Sequence, residues 1–390
     1  MRGSGLPVFL AAICCALVSG CSRAPSPQPV SVPPADAAPG ERSGAWPLFR
    51  GNVSASGVAS TPLPEKLERL WTFSTKSGGF EATATIADGT VFVGSTGGAF
   101  YAIDLDTGKQ RWEFSTPLGF TASAAVRQGR ILVGDSDGVF HCLDAVSGRQ
   151  LWKFQTEAEI NSSANCDGDH VLFGSQDSFL YCLEAGSGKL VWKYQSENQV
   201  RCFPAIEGSR CFVAGCDGHL HVIDRRSGQL VRKVKFDSPT GCSPAVKDGV
   251  VYFGTEGHEF LAIDSDRGKI LWRYESAERG AAFRSSAAVT AEAVYVGARD
   301  KKLYALDIRG GRLLWAFTAK GRIDSSPVVV GDRLFFGSAD GRLYAVDRQT
   351  GAKRWQFEAG GAVVASPAVA RGRLVIGTDA GDLYCFGGKK

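Results

Sequence analysis

An all-β, eight-bladed β-propeller of four-stranded blades is the fold this sequence predicts, and three observations predict it. An acid returns as Asp104, Asp144, Glu184, Asp224, Asp264, Asp307 and Asp347, 40 residues apart except for 43 between Asp264 and Asp307. A glycine follows each acid by four residues. A tryptophan follows by eight, as Trp112, Trp152, Trp192, Trp272, Trp315 and Trp355, with Arg232 at the fourth copy. Between these motifs lie short, half-apolar runs bounded by turn residues. A period of about 40 residues with strand-like content is the signature of a propeller.

The chain begins with Arg2 and an apolar run over Leu6–Val18 that is too short to span a bilayer. It ends in Leu17-Val-Ser-Gly-Cys21, which looks like a bacterial lipobox. Residues 1–20 are therefore expected to be a lipoprotein signal peptide and Cys21 the site of lipid attachment. Ser22 does not resemble the aspartate-type inner-membrane signal, which implies an outer-membrane anchor facing the periplasm. Residues 21–45 are rich in Pro, Ala and Ser with almost no apolar bulk, the composition of a disordered tether. Trp46-Pro-Leu-Phe-Arg-Gly-Asn52 restores aromatics, so 46–68 is expected to pack on the outside or an end of the propeller, which occupies 69–390.

Each repeat reads as four strands: A (Ser-Pro-Ala-Val type), B (Val-Tyr-Val-Gly), C (Leu-Tyr-Ala-Leu-Asp) and D (Leu-Trp-Lys-Phe). Between C and D the acid accepts from the turn amides and the glycine supplies a positive φ. A strands are expected to start near Thr83, Ser123, Ser163, Phe203, Ser243, Ser286, Ser326 and Ser366, which makes eight blades. The eighth stops at Phe386-Gly387 without a D strand, while Leu70-Trp71-Thr-Phe73 is a D strand with no blade before it. Placing the N-terminal strand in the last blade pairs both exposed edges. Two residues before each acid stands a small side chain (Ala102, Cys142, Cys182, Val222, Ala262, Ala305, Ala345), a slot for a tryptophan packing between blades. Trp71, Trp112, Trp152, Trp192, Trp272, Trp315 and Trp355, with Asp104, Asp144, Asp264, Asp307 and Asp347, are the expected docking residues.

Over residues 69–387 this pattern resembles the tryptophan-docking repeat of the pyrroloquinoline-quinone (PQQ) dehydrogenase type of propeller. Its non-catalytic relatives include the lipoprotein propeller of the outer-membrane β-barrel assembly machinery. The resemblance implies either a protein-interaction scaffold at the envelope or a quinone-dependent enzyme. In the enzymes it implies an adjacent-cysteine disulfide over the cofactor and extra carboxylate-rich loops for calcium. Here the only adjacent pair, Cys14-Cys15, lies in the leader, and the blades are compact apart from one three-residue insertion within Ser276–Gly280. No catalytic residues and no cofactor are expected, with PQQ and calcium, or a small-ligand or carbohydrate site, as the alternatives.

A net charge of +4 on 390 residues gives no nucleic-acid surface. Cys142, Cys182 and Cys385 fill the small-residue slot and read as core thiols. Cys202 and Cys242 share a repeat position, where a disulfide would need Cα atoms within about 7 Å. Cys211, Cys216, His219 and His221 have a metal-like spacing. A B–C hairpin turning at Gly215–Gly218 would pair Ala214 with His219 and Cys211 with Val222, putting Cys211 on the opposite face from the histidines. No metal site is expected. His141 and His221 stand where other blades carry tyrosine.

One position is free of the repeat. Two residues before the Ser of each A strand the chain reads Glu81, Thr121, Asn161, Arg201, Gly241, Arg284, Asp324 and Val364, between an apolar and a small neighbour. A variable position between two constrained ones should face solvent, here at the channel mouth. It reads either as a solvated rim or as a partner surface, with Arg201 and Arg284 flanking a recess at Gly241. The expected molecule is a monomeric propeller that meets a protein partner at this mouth and the membrane only through its anchor.

Overall fold

The computed structural model describes residues 44–276 and 281–389. The leader, Cys21, nearly all of the tether and the insertion beyond Ser276 lie outside the described residues. Every regular element among the described residues is a strand, in eight four-stranded antiparallel sheets. Blade 1 is typical, with A at Thr85–Ala87, B at Thr90–Gly94, C at Ala99–Asp104 and D at Gln110–Ser115. Blade 8 combines Ala368–Ala370, Arg373–Gly377 and Asp382–Gly387 with Glu68–Ser74 as its outer strand. That strand runs antiparallel to the last one, with Trp71 opposite Cys385, so the ring closes with a D strand from the N-terminal side.

The inner strands begin two residues later than the Ser-Pro-Ala-Val pattern suggests, at Thr85 rather than Thr83 and Ala125 rather than Ser123. The reason is that these hydroxyl residues join neighbouring blades instead of a ladder. At seven of the eight seams a backbone N–H donates to the hydroxyl of the next blade, from Thr83 N to Ser123 Oγ (3.0 Å) round to Ser366 N to Thr83 Oγ1 (3.3 Å). Phe203, without a hydroxyl, leaves the seam between blades 3 and 4 outside this ring.

Tryptophans join the outer parts of the blades. A bulge in the C–D ladder sets Trp112 opposite Ala102 and Gln110 opposite Ile103, with Arg111 as the extra residue. The Trp112 indole then lies on the next blade and donates to Ala145 O at 3.0 Å. Trp71, Trp152, Trp272 and Trp315 donate likewise, to Leu105, Ala185, Ile308 and Arg348 at 2.8–3.2 Å. The turn glycine has a second use beyond its φ of 72° at Gly148: a Cβ there would lie 2.6 Å from the Trp112 ring. At blade 4 the stem of Arg232 takes that seat, its Cδ 2.8 Å from where a Gly268 Cβ would be.

Residues 46–59 form a strap around the inside of the channel, at the end of the A–B and C–D turns. It pairs with Ile86 of blade 1 through Trp46, and its carbonyls accept from Val126, Ile206, Val246, Val289 and Val329 in turn. Asn165 Nδ2 adds blade 3 through Val53 O at 2.9 Å. Seven consecutive blades thus hydrogen-bond to one segment. Of the two expected placements, outside or end, the segment takes the end, and it sits within the ring. Beyond it, Arg333 of blade 7 donates to the carbonyls of Leu63, Pro64 and Glu65 on the way to the blade 8 outer strand.

Arg50 fastens the strap across the axis. Its neighbours Leu48 and Phe49 pack on blades 2–4, yet its Nη2 reaches Ala287 O of blade 6 and Pro327 O of blade 7, at 3.0 and 2.5 Å. The side chain is 1% exposed, and burial pulls the guanidinium down to about 9. Gly57 is required beneath it, since a Cβ at its φ of 65° would lie 2.0 Å from Nη2.

Candidate functional site

The two ends of the channel differ. The strap closes one; the other, bounded by the B–C turns and the loops leading into the A strands, carries the non-repeating ring. There Glu81, Arg201, Gly241 and Arg284 are exposed and Thr121, Asn161, Asp324 and Val364 half-buried. Their chain neighbours are buried, from Phe80 and Ala82 to Val363 and Ala365. This alternation is local: the apolar residue anchors each loop, the small one begins the seam, and the residue between them projects.

The ring is linked rather than a set of free side chains. Asn161 Nδ2 donates to Thr121 Oγ1 at 3.0 Å and to Glu159 Oε1 at 3.2 Å. Gln176 bonds Asn161 and Glu159, and Arg201 Nη2 reaches Gln176 Oε1 at 3.2 Å. Across the mouth Arg284 Nε meets Glu256 Oε1 at 2.8 Å. Asp324 is gripped by Arg299, through Nε and Nη2 at 2.9 and 3.0 Å, and by Arg322 at 2.9 Å. Between Arg201 and Arg284, a Cβ on Gly241 would meet nothing within 4 Å, so the recess is open.

Sequence reasoning missed a second ring. Gln176, Glu256 and Arg299 all stand two residues after the glycine near the end of a B strand (Ala214 in blade 4), where the series runs Thr96, Ser136, Gln176, Cys216, Glu256, Arg299, Ala339, Asp379. Backbone N–H groups at these positions donate to the loop of the first ring, as Gln176 N does to Glu159 O at 2.9 Å. The same signal that exposed the first ring, variation inside a repeat, was present here but reads as ordinary turn composition.

Blade 4 brings its polar residues together differently from the expected way. Ala214 pairs with Leu220 and Cys211 with Ile223, because the turn contains Gly215–His219, one residue more than expected. A one-residue shift moves a side chain to the other face, so Cys211 shares the face of His219 and His221. What separates it from them is packing: Cys211 is fully buried with Leu172, Leu180 and Val213, and burial raises its thiol well above the usual range. His221 bonds Asp217 at 3.0 Å and Tyr194 at 2.9 Å. His141 bonds Asp135 at 2.8 Å, much as Tyr181 and Tyr344 bond Asp177 and Asp340 at 2.7 Å. Glu197, Asp217 and His219 offer ligand atoms within 4.8 Å of one another. The Lys233 ammonium already stands among them, 2.5 Å from Glu197 and 3.8 Å from Asp217.

Cys202 and Cys242 are free thiols, each pushed up to about 12 by burial, as are the slot residues Cys142, Cys182 and Cys385. All eight described cysteines are free, and none is adjacent to another in sequence. The described cysteines thus form no adjacent-cysteine disulfide of the kind the resemblance implies for the enzymes. A cavity of about 480 Å³ lies at the opposite end, over Ser54 and Ser56 of the strap. Its charged walls are committed to each other and to backbone, as Glu207 is to the amides of Asp248 and Gly249.

A family model described as outer membrane protein assembly factor BamB matches residues 66–201, 176–319 and 299–389, spanning all eight blades. The chain belongs to this family. Among solved structures, BamB from Moraxella catarrhalis is 19% identical, with a TM-score of 0.68 over 83% of this chain and 98% of that one. A quinohemoprotein alcohol dehydrogenase from Comamonas testosteroni is 16% identical, with a TM-score of 0.77 over 90% of this chain and 82% of that one. A europium-containing methanol dehydrogenase is 13% identical, with a TM-score of 0.75 over 90% of this chain and 99% of that one. At such identities the BamB family and the dehydrogenases share a fold with this chain, and the fold serves both binding and catalysis. No curated protein matches the chain.

Proposed function

We propose that this BamB-family chain is a non-catalytic, lipid-anchored envelope protein that binds a protein partner at its open mouth, in the assembly of outer-membrane proteins. The observation that carries the reading is the asymmetry of the channel. One end is closed by the chain's own strap; the other presents two rings of side chains that differ at nearly every blade, on a frame whose interior repeats. The matching family description and the lipobox-like Leu17–Cys21 support the role and the compartment.

Arg201 and Arg284 flank the open recess at Gly241, and each keeps donors beyond its single bond on the rim. Guanidinium forks beside a recess suit carboxylates and carbonyls of an acidic peptide. Replacing both arginines with glutamate is expected to weaken capture of the partner from membranes by at least about 2 kcal/mol, with the fold intact. The same replacement at Lys153 and Lys193 on outer strands should change little. Equal capture by the double variant would move the interface away from the mouth. A quinone-dependent enzyme at the same mouth is the competing reading, and a visible absorbance change on adding PQQ with calcium would favour it. Cys21→Ala is expected to abolish fatty-acid labelling; unchanged labelling would remove the anchor.

A further inference from the structure

The outer rim carries a feature that neither the repeat nor the mouth accounts for. The first two residues of each D strand, beside the C–D turn, are polar or charged in blades 1 and 7: Gln110 and Arg111, Lys353 and Arg354. At the equivalent positions of blades 3–6, the two residues before Trp192, Arg232, Trp272 and Trp315, they are aliphatic, and Leu190, Val191, Leu230, Val231, Leu271 and Leu314 are each 41–49% exposed. In blade 2, Leu151 begins the same arc, and Val146 at the tip of the preceding turn is 85% exposed. Trp192 and Trp272 explain why these side chains face outward: the bulge turns the indole inward to its seam and leaves the preceding residue on the edge.

Charge follows the same arc. At the C–D turns and the starts of the D strands, Arg149, Lys189, Arg226, Lys269, Arg309 and Arg312 are exposed in blades 2–6. Other cations there are committed, Arg225 to Asp167 across a seam and Arg267 to the turn acid Asp264. Lys189, Arg226 and Lys269 have no ion pair among the described residues. An arc of aliphatic side chains interleaved with cations is the chemistry of an interfacial membrane contact.

The choice of occupant follows from where the described chain begins. Gly44 lies against Arg371 in the A–B turn of blade 8, at the strap end, which is also the end of the C–D turns and the aliphatic arc. Residues 22–43, joining Cys21 to this point, therefore attach on the face that carries the arc. We propose that the strap-end rim of blades 2–6 rests on an anionic bilayer surface, with the aliphatic side chains at the headgroups and the free cations on lipid phosphates. The mouth then faces away from that bilayer, toward the partner. The choice of a bilayer leans on the anchored reading above, and the experiment separates the two.

The test uses the chain carrying Cys21→Ala, so that no acyl chain contributes, with vesicles of phosphatidylcholine alone or with about a third phosphatidylglycerol. Co-sedimentation is expected with the anionic vesicles and not with the neutral ones, with release by salt. Arg226→Glu with Lys269→Glu should lower anionic-vesicle affinity by roughly tenfold or more. Leu230→Ser with Val231→Ser should lower it with the charge unchanged. Lys109→Glu in blade 1, outside the arc, is the control and should have little effect. Circular dichroism and the urea midpoint show that the variants fold. Absent binding to anionic vesicles, or equal binding by the charge-reversed variant, overturns the proposal. Concentration-dependent self-association abolished by the Leu230/Val231 variant also overturns it, in favour of a second copy of the chain on these edges. Fatty-acid labelling at Cys21 reports on the anchor separately, so the failure of one does not count as failure of the other.

Discussion

Blade 2 is joined to blade 3 by an indole bonded to Ala185 and by an amide bonded to the Ser163 hydroxyl. Blade 4 lacks both toward blade 3 and the indole toward blade 5. Toward blade 3, the Trp192 Nε1 is buried without an acceptor and Phe203 offers no hydroxyl. Toward blade 5, Arg232 replaces the tryptophan. Ion pairs and polar links stand in their place: Arg225 with Asp167, Lys233 with Glu197, Tyr194 with His221, and Arg210 with Asp266. Directional packing is insensitive to salt, whereas exposed ion pairs contribute little and are screened. A repeat protein is only as uniform as its seams, and this ring has one blade of a different kind.

The largest effect should come from removing an indole. Trp272→Ala is expected to lower stability by about 3 kcal/mol or more, and Arg232→Ala by about 1 kcal/mol or less. Equal shifts of the urea midpoint would erase the distinction between the seams. At the next level, Ser286→Ala leaves the buried Ser243 amide without its acceptor and should cost about 1 kcal/mol. A Ser286→Ala midpoint unchanged from wild type would make the serine ring incidental.

Hydrogen exchange should resolve the same contrast locally. Amides of residues 222–236 are expected to exchange faster than those of 102–116 or 262–276, and added salt should widen the gap, since blade 4 depends on ion pairs. Uniform protection would mean that the arginine stem and the ion pairs match an indole.

The smallest effect concerns pH. Burial is the main force on His221 and lowers its pKa below the ordinary 6.5, against the pull of Asp217. The neutral ring is thus favoured in the fold. Its contribution is present above the unfolded value near 6.5 and is lost as pH falls toward the depressed folded value. His221→Tyr, with the residue found at Tyr181 and Tyr344, removes that titration. Wild type should therefore lose ground to the variant between neutral pH and about pH 5, by less than about 1 kcal/mol. Parallel pH profiles would remove blade 4 from the acid response.

The blade count, the closure by Trp71 and the docking tryptophans were legible because they are periodic, and a period needs no knowledge of three dimensions. The first mouth ring was legible for the complementary reason, as variation inside a constrained pattern. Ser123 and Ser163 were read as strand residues because a seam bond between blades leaves no trace in one repeat. Cys211 was put on the wrong face because Gly215 and Gly218 allow turns of four or five residues, and one residue reverses every side chain. Trp46-Pro-Leu-Phe-Arg-Gly was visible as a packing segment. Its path past seven inner strands was not, since each of those contacts is long-range and made by backbone.

The strap and the closing strand also set an order of events. Trp46 needs blade 1 and Val58 needs blade 7, and Glu68–Ser74 has no partner until Asp382–Gly387 exists. The segment nearest the start of the chain is therefore the last to be satisfied. Blades 1–7 can each form from neighbouring hairpins, but the ring stays an open arc with two free edges until the final strand is made. Closing a loop of about 300 residues adds only a few kcal/mol of entropy, so the difficulty lies in time rather than stability. Such non-local closure is slow and leaves sheet edges exposed meanwhile. Until its last strand is in place a chain of this design is an unsealed ring, with Arg50 and its strap waiting for blades 6 and 7.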